Sequence, residues 1–146
     1  MTERPTGLTK GVGWEIGVSR TVAFPLEDVC DFLTSPEGSE VWLGAGVQRL
    51  DEPGREYQTA EGTSGEIRSF RPLDRVRLTW QPTDWAHDST VQFTVTGAAA
   101  GRTMLRFHQE RLADAHEREQ QRAHWRAVLD AVVTALENRP PVGSPP

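Results

Sequence analysis

From Ala115 to Glu137 the chain runs for 23 residues without a glycine or a proline. Within that run Trp125, Val128, Leu129, Val132 and Leu136 recur at helical spacing, so they line one stripe. Asp114, followed three residues later by Glu117, has the pattern of a capping box. The spacing predicts an amphipathic helix from Asp114 to Glu137, about 35 Å long at the usual rise per residue. Such a helix holds its shape in water only if something covers its apolar stripe, and the rest of the chain must supply the cover.

What precedes it reads as strands. Trp14, Ile16, Val18, Val22 and Phe24 share one face, with Glu15, Ser19 and Thr21 opposite and Arg20 breaking the apolar row. Pro25 suits the first position of a helix, and Val29, Phe32 and Leu33 give its stripe, ending near Thr34. Ser35 and Pro36 open a second short helix that stops at Trp42-Leu43-Gly44. Pro53-Gly54 fits a type II turn between strands at Val47–Leu50 and Arg55–Thr59. A turn at 62–65, strand residues Ile67–Phe70, a turn at 72–74 and the alternating Val76, Leu78 and Trp80 follow. Residues 82–88 form a longer loop; Val91, Phe93 and Val95 alternate; a turn from Gly97 to Gly101 leads into a last strand from Arg102 to Glu110.

The fold class is therefore α+β: a curved antiparallel sheet of six or seven strands around a long C-terminal helix, with two short helices after the first strand. One helix covers so wide a sheet only if the sheet curls around it, and the mouth of such a curl is a usual place for a small-molecule cavity. One domain is expected over residues 14–138, with a loose lead at 1–13 and a disordered Pro-rich tail at 139–146.

Charge and composition remove several classes of function. The formal net charge is −5 and Lys10 is the only lysine, which argues against nucleic-acid binding, since that needs a basic face against phosphates. Cys30 is the only cysteine, so no intrachain disulfide can form. No stretch approaches the roughly 18 apolar residues of a membrane span. Residues 1–7 lack the basic-then-apolar pattern of a signal peptide, and a cytoplasmic location is expected. Catalytic motifs are incomplete. His116-Glu117 begins a zinc-hydrolase helix motif, but Gln120 stands where the second histidine belongs. Gly11 and Gly13 precede a strand instead of following one, so they do not build a phosphate cradle. Asp84, His87 and Asp88 read as a solvated polar loop, and Cys30, beside the stripe of the first helix, as a structural thiol. No metal and no cofactor is called for.

Arg20-Thr-Val22-Ala-Phe24-Pro25-Leu-Glu-Asp-Val29, Glu40-Val41-Trp42-Leu43-Gly44, Gly65-Glu66-Ile67, Pro72, Arg75-Val76-Arg77-Leu78-Thr79-Trp80, Arg102-Thr103-Met104-Leu105 and Trp125 stand in an order and spacing that resemble the START-like, or SRPBCC, superfamily. Within it they resemble the branch of heat-shock-chaperone (Hsp90) ATPase activator homologues, over roughly residues 14–137. The resemblance implies a helix-grip fold with a ligand cavity. It implies little about activity, because one fold hosts lipid binders, cyclases, dehydratases and chaperone activators. The last strand of that branch often carries His then Glu near its end; here Gln109-Glu110 stands there, with His108 on the other face. His124 replaces a frequent glycine before the helix tryptophan, so no catalytic role carries over to these positions.

A pocket bounded by the first strand, the central strands and the long helix would be walled by Phe32, Trp42, Tyr57, Leu78, Trp80, Phe93, Phe107 and Trp125. Arg20 and Gln109 are its expected inward polar groups. Arg20 reads either as a rim arginine paired with an acid or as a clamp for a ligand carboxylate. Gln109 reads as a satisfied core amide or a ligand anchor, and Tyr57 as a packed rim tyrosine or a ligand hydrogen-bond donor. His124, on the long helix, reads as exposed or helix-packed, or else as a proton-transfer group, and Trp85, in a loop, is a candidate guard of an entrance. The expected function is binding or carriage of one small hydrophobic or amphipathic molecule. The alternatives are a cyclase- or dehydratase-like enzyme using the same cavity and a chaperone-activator-like interaction module; a homodimer stays open.

Overall fold

The computed structural model describes residues 8–9 and 13–139. Seven antiparallel strands form one curved sheet in the order β1-β2-β7-β6-β5-β4-β3. They are β1 (Leu8–Thr9), β2 (Gly13–Val22), β3 (Glu56–Gln58), β4 (Ser64–Arg71), β5 (Arg75–Trp80), β6 (Ser89–Ala98) and β7 (Arg102–Leu112). Two short helices, α1 (Leu26–Thr34) and α2 (Pro36–Trp42), bridge β2 to β3, and α3 (Ala115–Asn138) lies across the concave face. This is a helix-grip fold. None of the described helices is long and apolar enough to cross a membrane.

The caps follow the sequence. Asp114 accepts the N–H of Glu117 at 2.8 Å, and the Glu117 carboxylate accepts from Ala113 N–H at 3.0 Å. Ser35 accepts Gly38 N–H at 3.1 Å to start α2. Pro25 sits one place earlier than expected, as the extended residue before α1 and not its first helical residue. The seam between β2 and β7 joins the two ends of the domain: Val22 pairs with Thr103, and Trp14 with Leu112.

Three expectations need correction. Val47–Leu50 is not a strand. Val47 and Leu50, three residues apart and so on opposite faces of any strand, are both buried, and Leu50 N–H bonds to Thr34 C=O at the end of α1 and not to a neighbouring strand. The turn itself forms: Arg55 N–H bonds to Glu52 C=O across Pro53-Gly54, with Gly54 at φ 89°. The lead-in is not wholly loose, because Leu8 and Thr9 pair with Trp14 and Gly13; its other residues up to 12 lie outside the described ones. Arg139 belongs to the domain and not to the tail: it donates to Asp31 of α1 at 3.0 Å, with its guanidinium 5.3 Å from the centre of the Phe32 ring. Residues 140–146 lie outside the described residues.

The core is aromatic at its centre. Trp125 of α3 stacks on Phe107 of β7 with centroids 5.1 Å apart, and Trp42 of α2 meets Phe93 edge-on at 5.5 Å. A buried polar chain threads these rings. Trp125 Nε1–H donates to Gln109 Oε1 at 2.8 Å, Gln109 Nε2–H to Ser89 Oγ at 2.9 Å, and the Ser89 hydroxyl to Trp80 C=O at 2.8 Å. Every member donates or accepts where no water reaches, so each link satisfies a group that would otherwise be stranded.

Trp125→Ala is expected to destabilise the domain by about 3–5 kcal/mol in denaturant melts, through the cavity it leaves. Gln109→Leu is expected to cost about 1–3 kcal/mol, since it strands the Trp125 N–H in the core. Adding Trp125→Phe to Gln109→Leu should recover part of that loss, which a double-mutant cycle measures. At the far end of α3, Arg139 first and Arg49 second hold the Asp31 carboxyl below the usual carboxylate range. Such a group stabilises the fold above about pH 4 and stops doing so as pH falls through its lowered folded value. Asp31→Asn should cost less than about 1 kcal/mol at pH 7, because the Asp31 carboxylate is half exposed, and the difference from wild type should vanish in melts at acid pH.

Candidate functional site

Two clefts flank β3. One, of about 340 Å3, opens between β3 and the irregular segment 46–50; its floor is Val47, Leu50, Tyr57 and Ile67, and its rim Gln48, Arg49, Arg55, Glu56 and Gln58. The other, of about 470 Å3, lies over the paired strands β3 and β4, against Glu56 to Gln58 and Ser64 to Glu66. Tyr57 belongs to both. β3 is the last strand of the sheet and only three residues long. Because segment 46–50 packs downward instead of pairing with it, the gap between them stays open.

Tyr57 is fixed by a missing side chain. Its hydroxyl donates to Thr79 C=O at 2.6 Å, passing Gly65. A Cβ on Gly65 would lie 1.9 Å from the Thr79 oxygen and 2.7 Å from the Tyr57 hydroxyl, so only glycine fits there. Burial pushes the phenol well above its ordinary titration range, so the group acts as a neutral donor and not as a base.

Most of the other residues expected around a pocket sit in the core, touching one another. Phe32, Leu78, Phe93, Phe107, Gln109 and Trp125 are fully buried, and Trp42 and Trp80 nearly so. Their rings meet at the centre of the grip: Trp80 to Trp125 at 5.8 Å and Trp42 to Phe107 at 5.6 Å. Of the ten expected residues, Tyr57 is the one that lines either of these clefts. Gln109 is the core amide of the polar chain, its oxygen and its nitrogen both engaged.

Arg20 is not an inward polar group. It shares the face of Ile16, Val18 and Val22, but its guanidinium reaches sideways to Asp130 of α3, where both side chains meet water. Leaving the charge hydrated avoids the desolvation that burial would impose. His124 keeps an exposed edge, with its ring 4.7 Å from that of Trp125 and 5.9 Å from that of Trp80, and partial burial lowers its affinity for a proton. It lines neither cleft. Trp85 packs edge-on against Trp80 at 5.2 Å, and His87 stacks on Trp85 while bonding Glu117 at 2.8 Å, so loop 82–88 is pinned to the start of α3. The Asp88 carboxylate pairs with Arg111, while His87 Nδ1 bonds the Asp88 backbone carbonyl at 2.8 Å, so Asp84, His87 and Asp88 do not gather their side chains into a metal cluster. The Cys30 thiol is pushed up by burial, as a structural thiol should be.

The residues that sequence reasoning missed are those of segment 46–50 and the rim arginines, Arg49 and Arg55. A strand reading of Val47–Leu50 hides them, because it fills the gap that they border.

No curated protein matches the chain in sequence. Solved structures match its fold. The Mesorhizobium loti protein MLL2253 superposes with a TM-score of 0.75 at 20% identity, covering 87% of this chain and 99% of that one. An HSP90 activator from Plasmodium falciparum, PFC0360w, gives 0.73 at 15%, covering 86% and 97%. DynU16, described as a putative protein in the dynemicin biosynthetic locus, gives 0.72 at 21%; the match covers 84% of this chain but 47% of DynU16. The family model for the activator of Hsp90 ATPase homolog 1-like proteins matches residues 23–137, so the chain belongs to that family of the START-like, SRPBCC superfamily.

Proposed function

We propose that the domain binds one small amphipathic molecule without transforming it, held beside β3 where Tyr57 separates the two clefts. The observation that carries this reading is the pair of openings itself. Their volumes fall in the range of roughly 300–1,000 Å3 that small-molecule sites occupy, and the first sets a broad polar rim with Arg49 and Arg55 over a small apolar floor. An apolar body would lie on Val47, Leu50 and Ile67, and a polar head would face Arg49 and Arg55. The aromatic core behind Tyr57, from Trp80 to Trp125, serves as rigid backing, so affinity comes from shape and burial and selectivity from the rim. Both clefts are complete within one chain, so the reading needs no homodimer.

The alternatives have less geometry behind them. A cyclase- or dehydratase-like enzyme would need polar groups gathered around one cavity, but Arg20, His124 and Glu110 do not meet: Arg20 is engaged with Asp130 and Glu110 with Arg77. A chaperone-activator-like interaction module draws support from the family and from PFC0360w. Among the described residues, though, the exposed large apolar side chains are Leu73, in the turn before β5, and Met104, on β7. They form no contiguous patch of the size that marks a docking face, so a protein partner would have to be read mainly through charge.

Anilinonaphthalene sulfonate, an apolar ring system with one anionic group, tests the reading. It should bind the native protein saturably, near one per chain. Gln58→Trp, which fills the first cleft from an exposed position, should weaken it roughly tenfold or more, about 1.4 kcal/mol, with the melting temperature unchanged. Gly65→Ala should both lower stability and abolish the saturable phase by displacing Tyr57. If the probe does not saturate, or if Gln58→Trp leaves its affinity intact, the β3 clefts are not the site.

A further inference from the structure

On the face of the sheet turned away from α3, three side chains converge that lie far apart in the sequence. His108 and Glu110 are two residues apart on β7 and therefore share a face, opposite to the buried Phe107 and Gln109. Glu15 comes from the neighbouring strand β2, at a break in register: Trp14 pairs with Leu112 but Ile16 pairs with Gln109, so Glu15 stands opposite Glu110 and Arg111 together. The extra residue is accommodated by Arg111 at φ 65°, a left-handed conformation unusual for a non-glycine residue. The bulge turns Glu15 towards the two β7 side chains, and Arg118 of α3 fixes it by donating to the Glu15 backbone carbonyl at 2.9 Å.

We propose that Glu15, His108 and Glu110 form a binding site for a divalent transition-metal ion of the zinc class, independent of the β3 clefts. One donor atom from each side chain lies within 4.8 Å of the others, and all three residues are half-buried. His108 Nε2 is 3.6 Å from Glu15 Oε2, beyond hydrogen-bond length. It is close to the edge of about 3.4 Å that a tetrahedral ion with ligand bonds of about 2.0–2.1 Å would span. Two carboxylates facing each other across adjacent strands repel, and a cation between them removes that repulsion. Arg77 relieves part of it by bonding one oxygen of Glu110, which leaves the other oxygen to a metal and holds the carboxylate in place, as outer-shell partners of metal ligands do. One imidazole with two carboxylates suits zinc, which takes nitrogen and oxygen together and leaves a fourth position to water; calcium and magnesium prefer oxygen alone.

The test is titration of the full chain with zinc chloride against a chromogenic zinc indicator. The expected result is one ion per chain, with affinity reduced at least tenfold in both His108→Gln and Glu15→Gln. His116→Gln, which removes an exposed helix histidine, should leave it unchanged. Zinc should raise the melting temperature of the wild type and not that of His108→Gln, whose metal-free melting temperature should match the wild type. Glu15→Gln gives a second reading should His108→Gln fold poorly. The proposal is overturned if the wild type binds no stoichiometric zinc, if both variants bind it as tightly as wild type, or if the binding is lost with His116→Gln instead.

Discussion

The domain hangs on one chain of buried hydrogen bonds. Trp125, Gln109, Ser89 and the Trp80 carbonyl link α3, β7, β6 and β5 in succession. Hydrophobic burial alone would let a tryptophan-bearing helix settle on an aromatic floor in several rotations and offsets, because contact between rings is only weakly directional. The indole N–H donates to Gln109, and that acceptor is placed by a serine on the next strand. The polar chain therefore selects one docking of α3 from those the apolar surface allows. The rings around it then close at fixed angles, Phe107 parallel to Trp125 and Phe93 edge-on to Trp42.

That fixed docking explains where the structure opens. With the centre of the grip occupied by rings and locked by polar contacts, space is left at the sheet's short end, where β3 has three residues and its would-be partner turns down into the core. Tyr57 sits at that boundary. It is buried enough to belong to the core and yet forms a wall of both clefts, so what happens at β3 is felt by β5 through the Thr79 carbonyl.

The elements most legible in the sequence were those with long, unbroken periods. The stripe of α3 and its capping box, the alternation in β5 and β6, and Ser35 as a cap all stand where the spacing puts them, because nothing in the tertiary structure competes with those patterns. Val47–Leu50 was illegible for the opposite reason: a four-residue apolar-polar run fits a strand or an irregular segment equally well, and the tie of Leu50 to the end of α1 decided between them. Arg20 was legible as to face but not as to reach, since a long side chain on an inward row can still carry its charge to water. Gln109 illustrates a similar limit. Parity placed it inside, but its partners, Ser89 and Trp125, are 20 and 16 residues away, and no local pattern announces them. The grouping of Glu15 with His108 and Glu110 depends on a bulge at Arg111 that the sequence does not signal with a glycine.

The pairing of β2 with β7 carries a consequence for how the chain is made. β2 is synthesised before the other long strands of this sheet, yet its partners are 81 residues further on for Val22 and 98 for Trp14. Until β7 and α3 exist, β2 has only the two-residue β1 beside it, and α3 does not yet cover its inner face with Ile16, Val18 and Val22. Contacts this distant in sequence close late and slowly, because chain entropy must be lost before they form. On the ribosome, the segment that becomes a central seam of the finished sheet is an uncovered apolar strand until β7 and α3 have emerged. During that interval protection falls to whatever shields nascent chains in the cell.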